Sequence, residues 1–216
     1  MCGINGFNFE DRERLLRMNK AIKYRGPNAT GTFFDKYVSL GHLRLSIIDT
    51  SAAGKQPMSD ATNRYHIIYN GEVYNFQEIK KDLSEFSFSS GTDTEVVLYS
   101  YIKWGPKCLE RFNGMFAFCI YDSEKKTLFL ARDRMGIKPL YYFFHKGTFI
   151  FSSEIKAILQ HDVERVINKQ VLNKYFQRFY CFGSDTIWQH IDKLPAGHYA
   201  LFDVKAKKFV TKKYWD

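Results

Sequence analysis

The chain has 216 residues, 45% of them hydrophobic, and a formal net charge of +9. That length suffices for one domain with a sizeable core. No run approaches the roughly 18 apolar residues of a membrane span, and the N-terminus lacks the basic and apolar regions of a secretory signal, so a cytoplasmic setting without a membrane partner is expected.

Cysteines stand at positions 2, 108, 119 and 181, a spacing that makes neither a disulfide framework nor a metal-ligand set. Cys2 follows the initiator methionine in "MCGINGF". A small second residue permits removal of Met1, which by itself accounts for many such sequences. Removal would also leave Cys2 with both a thiol and a free α-amine, whose unperturbed pKa of about 7.7 to 8.0 keeps a neutral fraction near pH 7. An N-terminal amine of this kind can act as the base for its own side chain.

"DRERLLRMNKAIKYRGP" reads as a helix, and the alternating "YVSLGHLRLSII" and "RYHIIYN" read as strands. Arg44, inside the first alternation, is costly unless paired. A bidentate carboxylate would satisfy it, whether from Asp49, another protein acid or a ligand. In "IIYNGEVYN" the Asn70-Gly71 pair is a strong hairpin signal, because a type I′ turn needs positive φ at both central residues. The same two residues could instead supply a side-chain amide and a close-approaching N–H to an oxyanion.

"NFQEIKKDLSEF" places Phe76, Ile79, Leu83 and Phe86 on one helical face, with Asn75 and Glu78 as a capping box. "TDTEVVLYSYIKWGP" repeats the pattern with Thr92 and Glu95, and Gly-Pro ends it. The preceding "FSFSSG" suggests a phosphate cradle, but it has a single glycine, no Walker lysine, and Asp93 where phosphate would be repelled. Asp93 reads as a first-turn acid favoured by the helix dipole or as a carboxylate awaiting a cationic ligand group.

"GMFAFCIYD", "TLFLARD", "PLYYFF" and "GTFIFSS" predict successive antiparallel hairpins, with Cys119 as a small core hydrophobe. "SEIKAILQ" and "NKQVLNKYFQRFY" are further helix candidates. The five lysines of "VKAKKFVTKK" alternate with Val204, Phe209 and Val210 as a solvated hairpin or edge strand would. "KGTFIFSS" departs from an RNA-recognition strand at Thr148 and after Phe151, so no nucleic-acid partner is expected. Many strands with about five helices and no β-α-β alternation predict an α+β fold with helices on antiparallel sheets.

Nine stretches in register resemble the N-terminal glutaminase half of glutamine-hydrolysing asparagine synthetases: "MCGINGF", "RGPNATG", "GHLRLSIID", "GKQPM", "YNGEVYN", "SGTDTEVVL", "LERFNGMFAFCIYD", "ARDRMGIKPLYY" and "SSEIKAIL". The resemblance implies a class II glutamine amidotransferase with the N-terminal-nucleophile hydrolase fold, a four-layer αββα sandwich of two antiparallel sheets. It implies a catalytic domain over residues 1–190, and a tail over 191–216 leading toward an absent ATP-dependent synthetase domain. Cys2 would be the nucleophile, and Asn70 and Gly71 the oxyanion donors. Arg44 would bind the α-carboxylate of L-glutamine and Glu72 and Asp93 its α-ammonium, with the backbone of Ile48 a further contact.

No cofactor or metal is expected in this half; ATP and Mg2+ belong to the absent domain, which would receive the ammonia, with aspartate as the favoured acceptor. Another acceptor such as a sugar acid, a catalytically silent regulatory homologue, and a possible homodimer are alternatives compatible with the resemblance. One departure is Asn28, where the family generally has aspartate; loss of that charge would weaken an interaction with Arg25.

Overall fold

Side chains of a strand alternate between its two faces, and this sorts the apolar residues into three clusters. The computed structural model describes residues 1–47 and 49–216. Its first sheet contains β1 (Gly3–Phe7), β2 (Ala29–Asp35), β3 (Val38–Arg44), β8 (Tyr141–His145), β9 (Thr148–Ser152) and β10 (Ile191–Lys193). The second contains β4 (Met58–Ser59), β5 (Tyr65–Val73), β6 (Gly114–Asp122), β7 (Thr127–Arg132), β11 (His198–Asp203) and β12 (Lys208–Lys213). The spatial orders are β10-β8-β9-β1-β3-β2 and β12-β11-β7-β6-β5-β4, with antiparallel pairing throughout these ladders.

Between the sheets, Ile4, Val38, Leu40 and Phe151 meet Ile68, Ala117, Cys119 and Tyr121. The opposite face of the second sheet, carrying Ile67, Tyr69, Phe116 and Phe118, packs on helices α2 (Phe76–Lys81), α3 (Asp93–Trp104) and α4 (Cys108–Arg111). The outer face of the first sheet, with Phe7, Leu43 and Ile150, packs on α1 (Arg12–Ala21) and α5 (Ile155–Ile158) through Leu15, Met18 and Ile158. The layers therefore run helix, sheet, sheet, helix, as the resemblance implies. A further helix, α6 (Lys169–Arg178), buries Val171 and keeps most of its surface in solvent.

Several local expectations hold and several change. Thr92 caps α3 by accepting from Glu95 N at 3.4 Å. The Glu95 carboxylate does not return to the cap; it accepts from the backbone N–H groups of Ser89 and Ser90 at 2.8 and 2.7 Å. Asn75 likewise forms no side-chain cap on α2. Its amide donates to Arg111 O at 3.0 Å and accepts from Asn113 N at 3.0 Å, tying that turn to the start of β6.

The β6–β7 and β8–β9 pairs are hairpins, but β7 and β8 lie in different sheets. The intervening Asp133–Leu140 segment crosses between the layers. The boundary expected at residue 190 is also revised: β10 extends the first sheet, and β11 pairs with β7 while β12 forms the edge of the second. Residues 191–213 belong to the sandwich because Ile191, Leu194, Ala200 and Phe202 fill its core. The lysine-rich β12 is the predicted edge strand.

Candidate active site

The sulfur of Cys2 lies just ahead of β1, half-buried, where its thiol donates to Leu45 O at 3.6 Å and accepts from Leu45 N at 3.3 Å. Gly3 pairs with Leu43, so the ladder between β1 and β3 sets this approach across 43 residues of sequence. Arg25 fixes the same turn: its Nε donates to Cys2 O at 3.0 Å, and its guanidinium pairs with Glu154 at 2.9 Å. The anticipated interaction of Asn28 with Arg25 is replaced, since Asn28 Oδ1 accepts from Ser46 N at 3.0 Å. The charge partner of Arg25 comes instead from the segment following β9.

Cys2 opens onto a cleft of about 600 Å³ that Met1, Arg44, Ile47, Gly54, Gln56, Asn70, Gly71, Glu72, Asp93 and Lys138 help to line. Six of the seven residues expected from the sequence thus face one cavity. The seventh, Ile48, lies outside the described residues.

The expected hairpin at Asn70-Gly71 is not formed. Both residues lie inside β5, opposite Ala117 and Phe116. Gly71 is needed for close strand approach: a Cβ there would lie 2.5 Å from Met115 O and 2.7 Å from Phe116 Cα. By strand alternation Asn70 and Glu72 share the face of Ile68, toward the first sheet and Cys2. Asn70 is 1% exposed, and among the described residues its Nδ2 has no hydrogen-bond partner. A buried amide left this way costs free energy, and is a donor available to anything that enters the cleft.

Arg44 is buried, and among the described residues no protein carboxylate pairs with it. Nη1 donates to Ser51 O at 2.7 Å and Nη2 to Asp49 O. The Asp49 side chain accepts from Ser51 N and Gly91 N, each at 3.0 Å; the Ser51 hydroxyl first, and then these two N–H groups, hold its carboxyl below the ordinary range. Carbonyls orient the guanidinium without neutralising it. Gly54 makes the room, because a Cβ at that position would lie 2.1 Å from Nη2.

Asp93 begins α3 and is 4% exposed. Its Oδ2 accepts from Tyr69 Oη at 2.7 Å and from Val73 N at 2.9 Å. Burial pushes its carboxyl up, against these two hydrogen bonds; the neighbouring Glu72 pushes the same way. Gln56 bridges the two elements, accepting from Tyr69 N at 2.6 Å and donating to Thr94 Oγ1 at 3.2 Å. Around Cys2, burial raises the thiol, whereas the Leu45 N–H, the terminal amine, Arg44 and Lys138 favour the thiolate. The terminal amine, which belongs to Met1 while that residue is present, is lowered by burial, with Cys2 opposing and Arg25 and Lys138 assisting.

Gly54, Gln56 and Lys138 lay inside motifs noted in the sequence but received no role there. Asp133 is another such residue. Fully buried, it accepts from Phe116, Met135, Ile137 and Lys138 N–H groups at 3.2, 3.1, 2.9 and 2.9 Å. An Asp-x-x-Gly turn signal in "ARDRMGIKP" was its only trace. Asp133→Ala would strand four N–H donors and is expected to destabilise the fold by roughly 3 kcal/mol or more. Chemical denaturation checks this; an unchanged midpoint would show that the crossing does not depend on it.

A nucleophile, an amide donor and two cations (Arg44 and Lys138) left unpaired among the described residues, and two carboxylates together suit acyl transfer from a small zwitterionic amide. Known proteins agree with that chemistry. A family described as a glutamine amidotransferase domain matches residues 1–215. "Putative asparagine synthetase (glutamine-hydrolyzing) 2" of Methanocaldococcus jannaschii is 41% identical, over 100% of this chain and 47% of that protein. Asparagine synthetase (glutamine-hydrolyzing) 3 of Bacillus subtilis is 38% identical, over 82% of this chain and 30% of that protein. The chain therefore spans less than half the length of these curated relatives.

The solved glutamine phosphoribosylpyrophosphate amidotransferase of B. subtilis superposes with a TM-score of 0.72 at 14% identity, over 99% of this chain and 49% of that one. This is a likeness of fold. No described helix is long and apolar enough to cross a membrane. With the whole sandwich matched and the relatives sharing their N-terminal portion with it, the chain belongs to the glutamine amidotransferase domain family.

Proposed function

We propose that this domain hydrolyses the side-chain amide of L-glutamine to glutamate and ammonia through a thioester on Cys2. The observation that carries the reading is the buried, partnerless Nδ2 of Asn70 opening on the same cleft as the Cys2 sulfur. An oxyanion hole requires a donor held in place before charge develops.

The residues divide the work as follows. Arg44 receives the α-carboxylate of glutamine, and Glu72 and Asp93 its α-ammonium, so that neither charge is desolvated without a partner. With Met1 removed, the Cys2 α-amine accepts the thiol proton as the sulfur attacks the amide carbon. A C–S bond forms, and the carbonyl oxygen takes the negative charge between Asn70 Nδ2 and Gly71 N. When the tetrahedral species collapses, the C–N bond breaks and the departing nitrogen takes the proton from the α-ammonium, leaving as ammonia. Water then adds to the thioester with the amine again as base, the C–S bond breaks, and glutamate and the free thiol are released.

The names of the relatives support a destination for the ammonia: ATP-dependent amidation, with aspartate as acceptor, by a synthetase unit beyond these 216 residues. ATP and Mg2+ would serve that reaction, and glutamine hydrolysis by this half would need neither.

Incubation with a glutamine-like diazoketone should attach one label, at Cys2, with full protection by glutamine. Intact mass of the same sample should show Met1 missing, because a retained methionine converts the base into a peptide nitrogen. A processed, folded chain that stayed unlabelled would overturn the reading.

A further inference from the structure

Three cations surround the Cys2 turn, and their charges are met differently. Arg25 is paired with Glu154 at 2.9 Å. Arg44 is gripped by two carbonyls and, on the reading above, is neutralised when the substrate carboxylate arrives. The third is Lys138, which lines the cleft and is 6% exposed. Its hydrogen bonds are made by its main chain: N donates to Asp133 Oδ2 at 2.9 Å, and O accepts from Arg132 Nε at 2.8 Å. Among the described residues its ammonium makes no ion pair, and the nearby Asp133 oxygens are occupied by backbone N–H groups.

A lysine buried to this extent without a partner is unusual. The crossing segment between β7 and β8 supplies the explanation of how it is held there. Asp133 gathers four backbone N–H groups, and Arg132 grips the far side of the loop through Lys138 O, Leu194 O and Gly136 O at 2.8, 2.8 and 2.6 Å. Both anchors act on the main chain, so they deliver the side chain to the cleft without using its charge.

We propose that Lys138 is an electrostatic positioning residue whose ammonium keeps Cys2 in its thiolate form during attack on the amide. The inference rests on the reading of Cys2 as nucleophile. The charged groups facing the sulfur are the terminal amine, Arg44 and Lys138; those facing Lys138 are Asp133, Cys2, Arg25 and Glu72. Once glutamine occupies the cleft, its carboxylate offsets Arg44 and its ammonium offsets Glu72. Lys138 is then the cation beside the sulfur that no substrate charge offsets, with Asp133 the protein carboxylate facing it.

The test is the pH profile of Cys2 alkylation by iodoacetamide, followed by peptide mass in the processed chain. Lys138→Met and Lys138→Gln are each expected to move the midpoint up by about one pH unit, a tenfold loss of thiolate at a fixed pH below it. At pH 7 kcat for glutamine hydrolysis should fall about tenfold with KM changed less than about threefold, and Lys138→Arg should restore most of both. Folded neutral variants that keep the parent midpoint would overturn the inference, as would an arginine variant as impaired as the methionine one. Should Lys138→Met fail to fold, the glutamine variant carries the same comparison. The two readings fail separately: unchanged midpoints with normal diazoketone labelling sink only the role of Lys138, whereas glutaminase activity surviving Cys2→Ala sinks the site itself.

Discussion

Cys2→Ala is expected to leave a folded protein with no measurable glutamine hydrolysis, a loss of roughly 10⁴-fold or more, as when a covalent nucleophile is removed elsewhere. Alanine is also small, so removal of Met1 should proceed as before and the α-amine should remain. The comparison therefore isolates the sulfur. Its structural contacts are one accepted and one weakly donated hydrogen bond with Leu45, and their loss should cost about 1 kcal/mol of stability. Ammonia release measured beside thermal unfolding checks both halves. Residual turnover within tenfold of the parent would exclude a Cys2 thioester, and collapse of the fold would assign the residue a structural role.

Asn70→Ala should separate activity from stability in a different way. Removal of one oxyanion donor is expected to raise the barrier by about 3 kcal/mol, lowering kcat by 10² to 10³ with KM for glutamine little changed. Most substitutions of a buried residue also lower stability. Here the group removed includes an amide nitrogen with no partner in the folded chain, so relief of that unsatisfied donor offsets part of the lost packing. A melting temperature within a few degrees of the parent is the expected result. A large fall in melting temperature would mean that the amide supports β5, and an unaltered kcat would remove it from the oxyanion site.

The same contrast between local and distant partners explains which parts of the protein were legible in its sequence. Strands and helices followed from periodicity, because alternation in "RYHIIYN" and "GMFAFCIYD" records which face meets a core. The α3 N-cap followed from Thr92, whose partner is three residues away. Of the two readings open for Asn70-Gly71, the hairpin rests on local dipeptide chemistry, whereas the actual constraint is the backbone of β6 some 45 residues onward. Arg44 announced its need for a partner, but carbonyls in the following loop meet part of it and leave its charge free. Asn28 and Arg25 were joined by proximity in sequence; the fold gives them unrelated partners, Ser46 and Glu154.

By itself, then, the sequence determined the alternation of the strands, the Thr92 cap of α3, the edge character of β12 and the kinds of reactive group present. These are properties of neighbouring residues and of which face of an element is apolar. Only the tertiary structure decided that Cys2, Arg44, Asn70, Gly71, Glu72 and Asp93 border one cleft, and that Lys138, its backbone held by Asp133, reaches that cleft from a crossing between sheets. It also decided which charges are spent, pairing Arg25 with Glu154 across 129 residues and leaving Lys138 unpaired among the described residues. Such partnerships depend on how the two sheets stack, which brings distant residues within a few ångströms and excludes the water that would otherwise level their differences.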